Sequence, residues 1–382
     1  MNHIHHRITR IGTDSSISNE INLQSVPIRV ICGELKNKYM KKLIIAFNFL
    51  LLLAVGGRAQ DHADGLYSVA FYNLENLFDT IHDTGKNDYE YLPDAAKGWN
   101  SEKYRSKLKN LSKVLGELSR DKVPAGPAAI GVAEVENWRV LDDLIRQPEL
   151  AAGGYRYIHY EGPDKRGIDC ALLYDPKQFT PHATALVLST PFEGDTIHKT
   201  RGFLIVGGEL AGDKVCLIVN HWPSRGAAEP VRVHAAMQVK ALKDSLMRTD
   251  PDLKLIIMGD LNDDPMDLSL AVLGAKKHVE DMTEDDLYNP WWVTLEDKGV
   301  GTLLYRGKWN LFDQIVFTGN LLGNDRSTLK YYRNEIFRRD YMFQKQGKYK
   351  GYPKRTHAGG VWLNGYSDHL PTIIYLIKEI KD

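Results

Sequence analysis

The chain has 382 residues, and 43% of them are hydrophobic, so it can bury a sizeable core as one large domain or two ordinary ones. Its 49 basic and 49 acidic residues give a formal net charge of zero, which excludes a global electrostatic attraction to nucleic acid. Cys170 and Cys216 lie within apolar, strand-like runs, which favours buried free thiols over a catalytic pair. If the protein is exported, a disulfide between these two cysteines is the alternative.

The N-terminal region has the pattern of a secretory signal. Residues 1–39 are polar and lack helical or strand periodicity. A basic start at Met40 is then followed by a 13-residue apolar run, 43–55, and by a small-residue exit. We therefore predict a signal peptide over residues 40–59, too short for a comfortable membrane span, and a non-native upstream extension over residues 1–39. The alternative is a cytoplasmic leader with a single membrane anchor, and no cysteine lies near Ala59 for lipid attachment.

Cleavage after Ala59 would leave residues 60–382 as an exported protein, either periplasmic or extracellular. The removed part holds 8 basic and 3 acidic residues, so 41 basic and 46 acidic residues would remain, a net charge of −5. This mildly acidic balance again provides no general attraction to nucleic acid.

Predicted strands and helices alternate along the first half of this region. An apolar run at 67–72 predicts a strand ending at Asn73, and apolar residues at helical spacing predict a helix over 103–118. A second strand, 128–133, ends at Glu134, and another helix follows at 140–145. Five short strands come next, over residues 155–160, 169–174, 185–188, 203–207 and 215–219, and the last of them ends at His221.

The second half continues this alternation. A hydrophobic stripe predicts a helix over 233–247, and the central strand, 255–258, runs directly into Gly259-Asp-Leu-Asn262. Because side chains alternate along an extended segment, Asp260 and Asn262 are expected to share one face. Further strands are predicted over 313–317 and 372–377. No internal repeat and no linker rich in glycine, proline or serine divides residues 60–382, which we interpret as one domain.

The polar residues at these strand ends form a chemically consistent set of Asn, Glu, Asp and His, with almost no lysine. Carboxylate and amide oxygens with neutral imidazoles suit a hard divalent cation, Mg²⁺ first, with Mn²⁺ or Ca²⁺ as alternatives. An imidazole beside a carboxylate can take a proton from water near neutral pH. The set therefore predicts metal-assisted phosphoester hydrolysis, whereas a non-catalytic binding module would fit only an incomplete set.

Six motifs carrying this set follow one another along the chain: Phe71-Tyr-Asn-Leu-Glu-Asn76, Gly131-Val-Ala-Glu-Val-Glu-Asn137, Val219-Asn-His-Trp-Pro-Ser-Arg225, Gly259-Asp-Leu-Asn262, Phe312-Asp-Gln-Ile315 and Ser367-Asp-His-Leu-Pro371. In this order they resemble the endonuclease/exonuclease/phosphatase superfamily, over roughly Tyr67 to the C-terminus. The resemblance implies an α/β (α+β) protein with a four-layer αββα sandwich. Two mixed sheets would pack face to face with helices outside, and the site would lie at one edge of the sandwich.

The resemblance also implies the metal ligands. Glu134 is then the principal ligand, with Asn73 beside it and Asp368 as a further acid on the metal side. Glu136 is the alternative ligand, because it follows Glu134 by two residues and would lie on the same face of the strand.

The same resemblance implies the catalytic residues. Asp260 and Asn262 would orient the attacking water and bind the phosphate. His369 would be the base that contacts the scissile phosphate, supported by Asp313. His221 would stabilise the phosphate or the leaving group.

One stretch bears on the substrate. Residues 326–357 contain ten Lys and Arg against two acids, with seven Tyr or Phe interleaved. They could form a rim that binds phosphates by charge and bases by stacking, or a solvated segment covering a sheet edge. The first interpretation favours a nuclease acting on nucleic acid. The alternative is a sphingomyelinase-like or inositol-phosphate-like phosphoesterase, and only a lipid substrate would require membrane contact.

Two observations bear on binding partners. Trp291 and Trp292 could belong to the core, which we favour, or to a hairpin that touches a membrane. No sequence feature indicates a stable protein partner.

Overall fold

The computed structural model describes residues 65–192 and 200–379. The predicted signal peptide, 40–59, and the predicted upstream extension, 1–39, lie outside the described residues and stay predictions. Within the two described ranges, no helix combines the length and the apolar character that a transmembrane span requires.

Seventeen strands of the described residues form two large sheets and two short hairpins. In chain order they are β1 (Gly65–Leu77), β2 (Ala129–Val135), β3 (Arg156–His159), β4 (Asp169–Tyr174), β5 (Phe179–Val187), β6 (Phe203–Leu210), β7 (Asp213–His221), β8 (Lys254–Asp260), β9 (Ala275–Lys276), β10 (Leu287–Tyr288), β11 (Leu303–Tyr305), β12 (Lys308–Asn310), β13 (Asp313–Thr318), β14 (Lys330–Ile336), β15 (His357–Ala358), β16 (Val361–Trp362) and β17 (Thr372–Lys378). The first sheet has the order β14-β17-β1-β2-β4-β3 and the second β5-β6-β7-β8-β13-β10-β9. Both sheets are mixed, since β1 and β2 and also β7 and β8 are parallel neighbours.

The described part of the chain also contains six α-helices: α1 (Ser101–Glu117), α2 (Trp138–Ile145), α3 (Pro148–Ala151), α4 (Glu229–Thr249), α5 (Leu268–Leu273) and α6 (Trp291–Glu296). The start of α1 is set by Asn100, whose side chain accepts the backbone N–H groups of Glu102 and Lys103. Leu108, Leu111 and Leu115 follow at helical spacing and are buried, so one face of α1 packs on the protein.

The two sheets pack face to face around a shared apolar core. Phe71 and Leu172 enter it from the first sheet, and Leu217 and Met258 from the second. Gly131 of β2 allows the sheets to approach, because a Cβ there would lie 2.6 Å from the Met258 Sδ. Each fully buried side chain of this size contributes roughly 1.5–3 kcal/mol, so this layer is a major source of stability.

Helices cover the outer face of each sheet. Apolar side chains of α1 and α2 pack on the outward-facing residues of β1 and β2, such as Tyr72 and Ile130. Those of α4 and α5 pack on the outer face of β7 and β8, including Ile218 and Ile257. The layers are therefore α-β-β-α, which confirms the predicted four-layer sandwich.

The predicted strands and helices are present with shifted bounds, several short elements were not predicted, and two differences are large. β5 begins at Phe179, whereas the apolar pattern indicated a strand only from residue 185. β14 lies within the basic stretch 326–357, where no strand was predicted, and it forms an edge of the first sheet. Residues 330–336 thus form the edge strand itself, which is neither the rim nor the segment covering a sheet edge that the sequence suggested.

The structure also tests the predictions made for the two cysteines and for Trp291. Cys170 and Cys216 are buried and unbonded, and burial raises the pKa of both thiols, so they are unreactive. Trp291 is fully buried in the core between the sheets and donates its indole N–H to the Ile315 carbonyl at 2.8 Å. The core interpretation of Trp291 is confirmed.

Candidate active site

Strand register in the second sheet brings three predicted residues to one edge of the sandwich. β7 and β8 run parallel with His221 opposite Asp260, and antiparallel β13 places Asp313 opposite the same aspartate. Glycine is needed at position 259, because a Cβ there would lie 2.3 Å from the Asn220 carbonyl oxygen. These three side chains therefore emerge side by side.

The Asp260 carboxylate joins the two sheets at this edge. Its Oδ2 accepts a hydrogen bond from Asn73 Nδ2 at 3.0 Å and lies 3.7 Å from His221 Nε2 and 3.8 Å from His369 Nε2. The Oε1 of Glu134 lies 3.4 Å from the same Asn73 nitrogen and 3.9 Å from His221 Nε2. Five of the predicted residues thus converge on one small volume.

Glu134 reaches this volume because β2 bulges there. Its φ is 62°, and the register between β2 and β4 shifts on passing from Ala133 to Val135. Its Oε2 is held by the backbone N–H of Asn76 at 2.8 Å. The bulge also breaks the alternation that would place Glu134 and Glu136 on one face, so that expectation is wrong. Glu136 is buried and instead accepts the backbone N–H of Asp79 at 2.7 Å.

Asn73 holds the two carboxylates together. Its Oδ1 accepts the backbone N–H of Glu75 at 2.9 Å, which fixes the orientation of the amide. Its NH₂ group consequently faces Glu134 and Asp260. In this orientation Asn73 positions the carboxylates, while direct ligation through its oxygen stays a prediction.

The donor set fits a hard divalent cation. Glu134 and Asp260, from neighbouring sheets, direct carboxylate oxygens toward the same Asn73 amide nitrogen, and oxygen ligands are those that Mg²⁺ prefers. Asp260, Asp313 and His369 also offer ligand atoms within 4.8 Å of one another. Asp313 and His369 are already hydrogen-bonded to each other, however, so Glu134 with Asp260 is the better pair for an ion.

His369 is held by Asp313. Its Nδ1 lies 2.7 Å from Asp313 Oδ2, and its backbone N–H donates to Ser367 Oγ at 3.0 Å. Burial alone lowers the pKa of His369, but the Asp313 and Asp260 carboxylates outweigh it and raise the pKa well above its usual value. The imidazole is therefore cationic at neutral pH, with Nε2–H directed toward Asp260.

His221 lies on the other side of Asp260 and differs in charge. Burial, followed by the nearby Arg201 guanidinium, lowers the pKa of His221 well below its usual value, so the ring is neutral. Arg201 is fixed beside it by donating to the Trp222 carbonyl at 2.9 Å and by pairing with Asp164 at 3.2 Å. The site thus combines one cationic and one neutral imidazole.

Asn262 follows β8 in a left-handed turn. Its φ is 52°, so it does not continue the extended strand, and the expected strand alternation with Asp260 is wrong. Its Nδ2 donates to the Trp222 carbonyl at 3.0 Å, and its backbone N–H donates to Asp260 Oδ1 at 3.0 Å. Because the Trp222 carbonyl oxygen can only accept a hydrogen bond, the side-chain nitrogen of Asn262 must face it. The side-chain oxygen of Asn262 therefore points elsewhere and can accept a hydrogen bond from another partner.

Asp368 lies at the margin of the cluster. Its Oδ2 accepts from Arg355 Nη2 at 2.8 Å, and its Oδ1 lies 4.0 Å from His369 Nε2. Arg355 also donates to Glu75 at 3.1 Å. Sequence reasoning missed Arg355 and Glu75 as site residues, because they are 280 residues apart and only the fold brings them together.

The basic stretch 326–357 divides into two parts. In and just after β14, Arg333 pairs with Glu335 and Arg339 with Glu117, so these cations have internal partners. Residues 345–351 are exposed and lead to Arg355 at the site. The stretch is therefore not one continuous rim.

The sequence matches the model of the endonuclease/exonuclease/phosphatase family over residues 68–378. The chain belongs to this family. Endonuclease/exonuclease/phosphatase enzymes hydrolyse phosphoester bonds, so this protein is a phosphoester hydrolase, and divalent-metal dependence is typical of the family. A search of curated protein sequences found no match.

Solved structures share the family fold. A family protein from Bacteroides thetaiotaomicron is 15% identical with a TM-score of 0.52, covering 84% of this chain and 98% of that chain. A mannosyl-6-phosphatase from Bacteroides thetaiotaomicron VPI-5482 is 16% identical with a TM-score of 0.51, covering 81% and 99%. The human Nocturnin catalytic domain with bound sulfate is 15% identical with a TM-score of 0.51, covering 82% and 95%. At this identity the similarity establishes the fold alone.

Proposed function

We propose that the protein is an exported, divalent-metal-dependent phosphodiesterase that cleaves nucleic acid. The observation that carries the phosphoesterase chemistry is the convergence of Glu134, Asp260, His221 and His369 around the Asn73 amide. Glu134 and Asp260 would hold the ion, Mg²⁺ in the first instance. A bound ion would supply positive charge to the phosphate oxygens.

The protein's own groups divide the remaining work. Burial raises the pKa of Asp260 to about 7, and a bound cation would hold this carboxylate in its ionised form as a ligand. Cationic His369 is suited to donate a hydrogen bond from Nε2 to a phosphate oxygen, which favours phosphate contact over the role of base. Neutral His221 faces the same volume and can accept a proton or orient the leaving oxygen. The free amide oxygen of Asn262 can orient water.

The exposed segment 345–351 supports a polymeric substrate. Lys345, Lys348 and Lys350 are exposed on it, and Tyr349 is exposed beside them. Positive charge next to an exposed aromatic ring suits binding of phosphates and stacking of bases. The segment leads to Arg355, which contacts Asp368 at the site.

A second candidate is a phosphoesterase for a small molecule. A cleft of about 220 Å³ lies beside Glu75, lined by Asn76, Tyr91, Lys97, Arg355 and His357 among others. Its volume suits a single sugar-sized or inositol-sized group. Lys97 and Arg355 would face a charged substituent of such a substrate.

A substrate panel separates the two candidates. We expect hydrolysis of single- or double-stranded DNA or of RNA with Mg²⁺ or Mn²⁺, and loss of activity with EDTA. Sugar phosphates, inositol phosphates and sphingomyelin vesicles form the other arms. Turnover of only these small or lipid substrates would contradict the nuclease proposal, and full activity in EDTA would contradict metal dependence.

A charge variant tests the exposed segment in the same assay. Changing Lys345, Lys348 and Lys350 together to alanine should raise KM for nucleic acid. It should also make the plot of log KM against log salt concentration less steep, by roughly 0.9 in slope for each duplex phosphate that the protein no longer neutralises. Turnover of a small chromogenic phosphodiester should be unchanged. The matched control replaces three exposed cations elsewhere, Arg105, Lys109 and Lys298, and should leave KM unchanged.

Export is proposed from the signal-like pattern that starts at Met40. We expect the exported protein to begin near Gln60. N-terminal sequencing or intact-mass analysis of protein recovered outside the cytoplasm checks this. An exported form that begins upstream of Met40 would contradict both the cleavage site and the proposed start.

A further inference from the structure

Arg355 lies between two carboxylates at the margin of the active site. Its Nε donates to Glu75 Oε1 at 3.1 Å and its Nη2 to Asp368 Oδ2 at 2.8 Å. These two nitrogens lie on one edge of the guanidinium plane, so both acids face the same edge. One permanent positive charge therefore bridges two acids that come from distant parts of the chain.

The position of Arg355 is fixed by its neighbours. The backbone N–H of Thr356 donates to Glu75 Oε2 at 2.6 Å, and the Thr356 hydroxyl accepts a hydrogen bond from the ammonium of Lys107 at 2.6 Å. Lys107 belongs to α1, is completely buried, and also donates to the Tyr366 carbonyl at 2.7 Å. The segment that carries Arg355 is thus held to the sandwich by Glu75 of β1 and by Lys107 of α1.

Arg355 occupies the space between two carboxylates that could otherwise bind a metal ion. Glu75 and Asp368 are oxygen donors that share one guanidinium, and Glu75 is buried. Glu134 is nearby, because its Oε2 is held by Asn76, the residue that follows Glu75. Without Arg355, Glu75 and Asp368 would keep only the Lys107 ammonium, 3.7 Å from Glu75 Oε2, so a net negative pocket of the type that binds divalent cations would remain.

We propose that Arg355 takes the place of a second divalent cation, so that the active site works with one ion at Glu134 and Asp260. The guanidinium also holds Asp368 Oδ2, which leaves Asp368 Oδ1 beside His369 Nε2 at 4.0 Å. Arg355 is thus a positioning residue. The inference rests on the proposed function only for the ion at Glu134.

Counting bound Mn²⁺ tests the inference without any measurement of turnover. Wild-type protein, titrated with Mn²⁺ alone and followed by electron paramagnetic resonance, should bind one ion. Arg355→Ala should bind two, because Asp368 loses its cation and Glu75 keeps only the Lys107 ammonium, 3.7 Å from its Oε2. Arg355→Lys keeps the charge and should bind one, and Arg355→Ala combined with Asp368→Asn should return to one.

Circular dichroism checks that each variant is folded, and Arg355→Gln replaces the alanine variant if that protein is unstable. Two ions in the wild type, or only one in folded Arg355→Ala, would overturn the inference. No ion in the wild type together with one in Arg355→Ala would support it while contradicting the proposed ion at Glu134.

Discussion

Replacing His369 with alanine is expected to lower kcat by about 10²–10⁴-fold. The reason is the placement of its cationic ring: Nδ1 is fixed by Asp313 at 2.7 Å, and Nε2 faces Asp260 at 3.8 Å, where a phosphate oxygen would bind. Asp313→Asn should lower kcat through the same step, so the double variant should be little worse than His369→Ala alone. His221→Ala should lower kcat by a comparable factor through a separate defect.

The pH profile distinguishes this role from a purely structural one. Because the Asp313 carboxylate raises the pKa of His369, the cationic form persists to higher pH, and activity that needs this form falls as pH rises through that pKa. Asp313→Asn should therefore move the alkaline limb of kcat/KM to lower pH. His369→Asn, which can still hydrogen-bond Asp313, is the control for stability. Near-wild-type turnover by His369→Ala would exclude the proposed mechanism.

The second large effect is expected at Glu134. Glu134→Gln should weaken Mg²⁺ or Mn²⁺ binding by more than the roughly 10–100-fold that loss of an outer hydrogen-bond partner costs a metal site. The amide is nearly isosteric, and its oxygen can still accept the Asn76 N–H, so the fold should be retained. Isothermal titration calorimetry with each metal measures the change.

Glu136 provides a matched control two residues along the chain. Burial raises its pKa to about 9, so it is already neutral at pH 7, and it accepts a backbone hydrogen bond from Asp79. Glu136→Gln should consequently leave metal affinity unchanged. If both glutamine variants bind metal as the wild type does, the ion is held elsewhere.

The strands that lead to the site could be predicted because their interiors are apolar and their ends polar. The apolar run 255–258 must be buried on both faces. A carboxylate such as that of Asp260 cannot be buried without a hydrogen-bonding or charged partner, so polar side chains that can carry out chemistry are expected where the run ends. The same reasoning located His221 at the end of β7, whereas Asn73 lies within β1, which continues to Leu77, and His369 lies just before β17. The four-layer order rested on the family resemblance, and the cores on both sides of each sheet confirm it.

Local backbone changes could not be predicted from spacing. A bulge at Glu134 reverses the faces that alternation assigns, and the left-handed turn at Asn262 does the same after β8. β14 was missed because an edge strand is solvated, so its polar residues do not alternate with apolar ones. The contact between Arg355 and Glu75 depends on tertiary packing, which leaves no periodic signal.

The left-handed residues of the active-site edge also set a lower limit on the size of this enzyme. Glu75, Asn76, Glu134 and Asn262 all have φ between 49° and 62°, a region that side chains with a Cβ disfavour by about 1 kcal/mol or more each. The two glutamates carry most of this cost, because asparagine tolerates the left-handed region, and the total of a few kcal/mol compares with the roughly 5–15 kcal/mol by which a typical domain is stable. Small domains bury proportionally less surface and have less stability to offset such a cost. The double-sheet core is therefore a precondition for the catalytic geometry, and shortened versions of this scaffold should lose the geometry of the site before they lose the sheets.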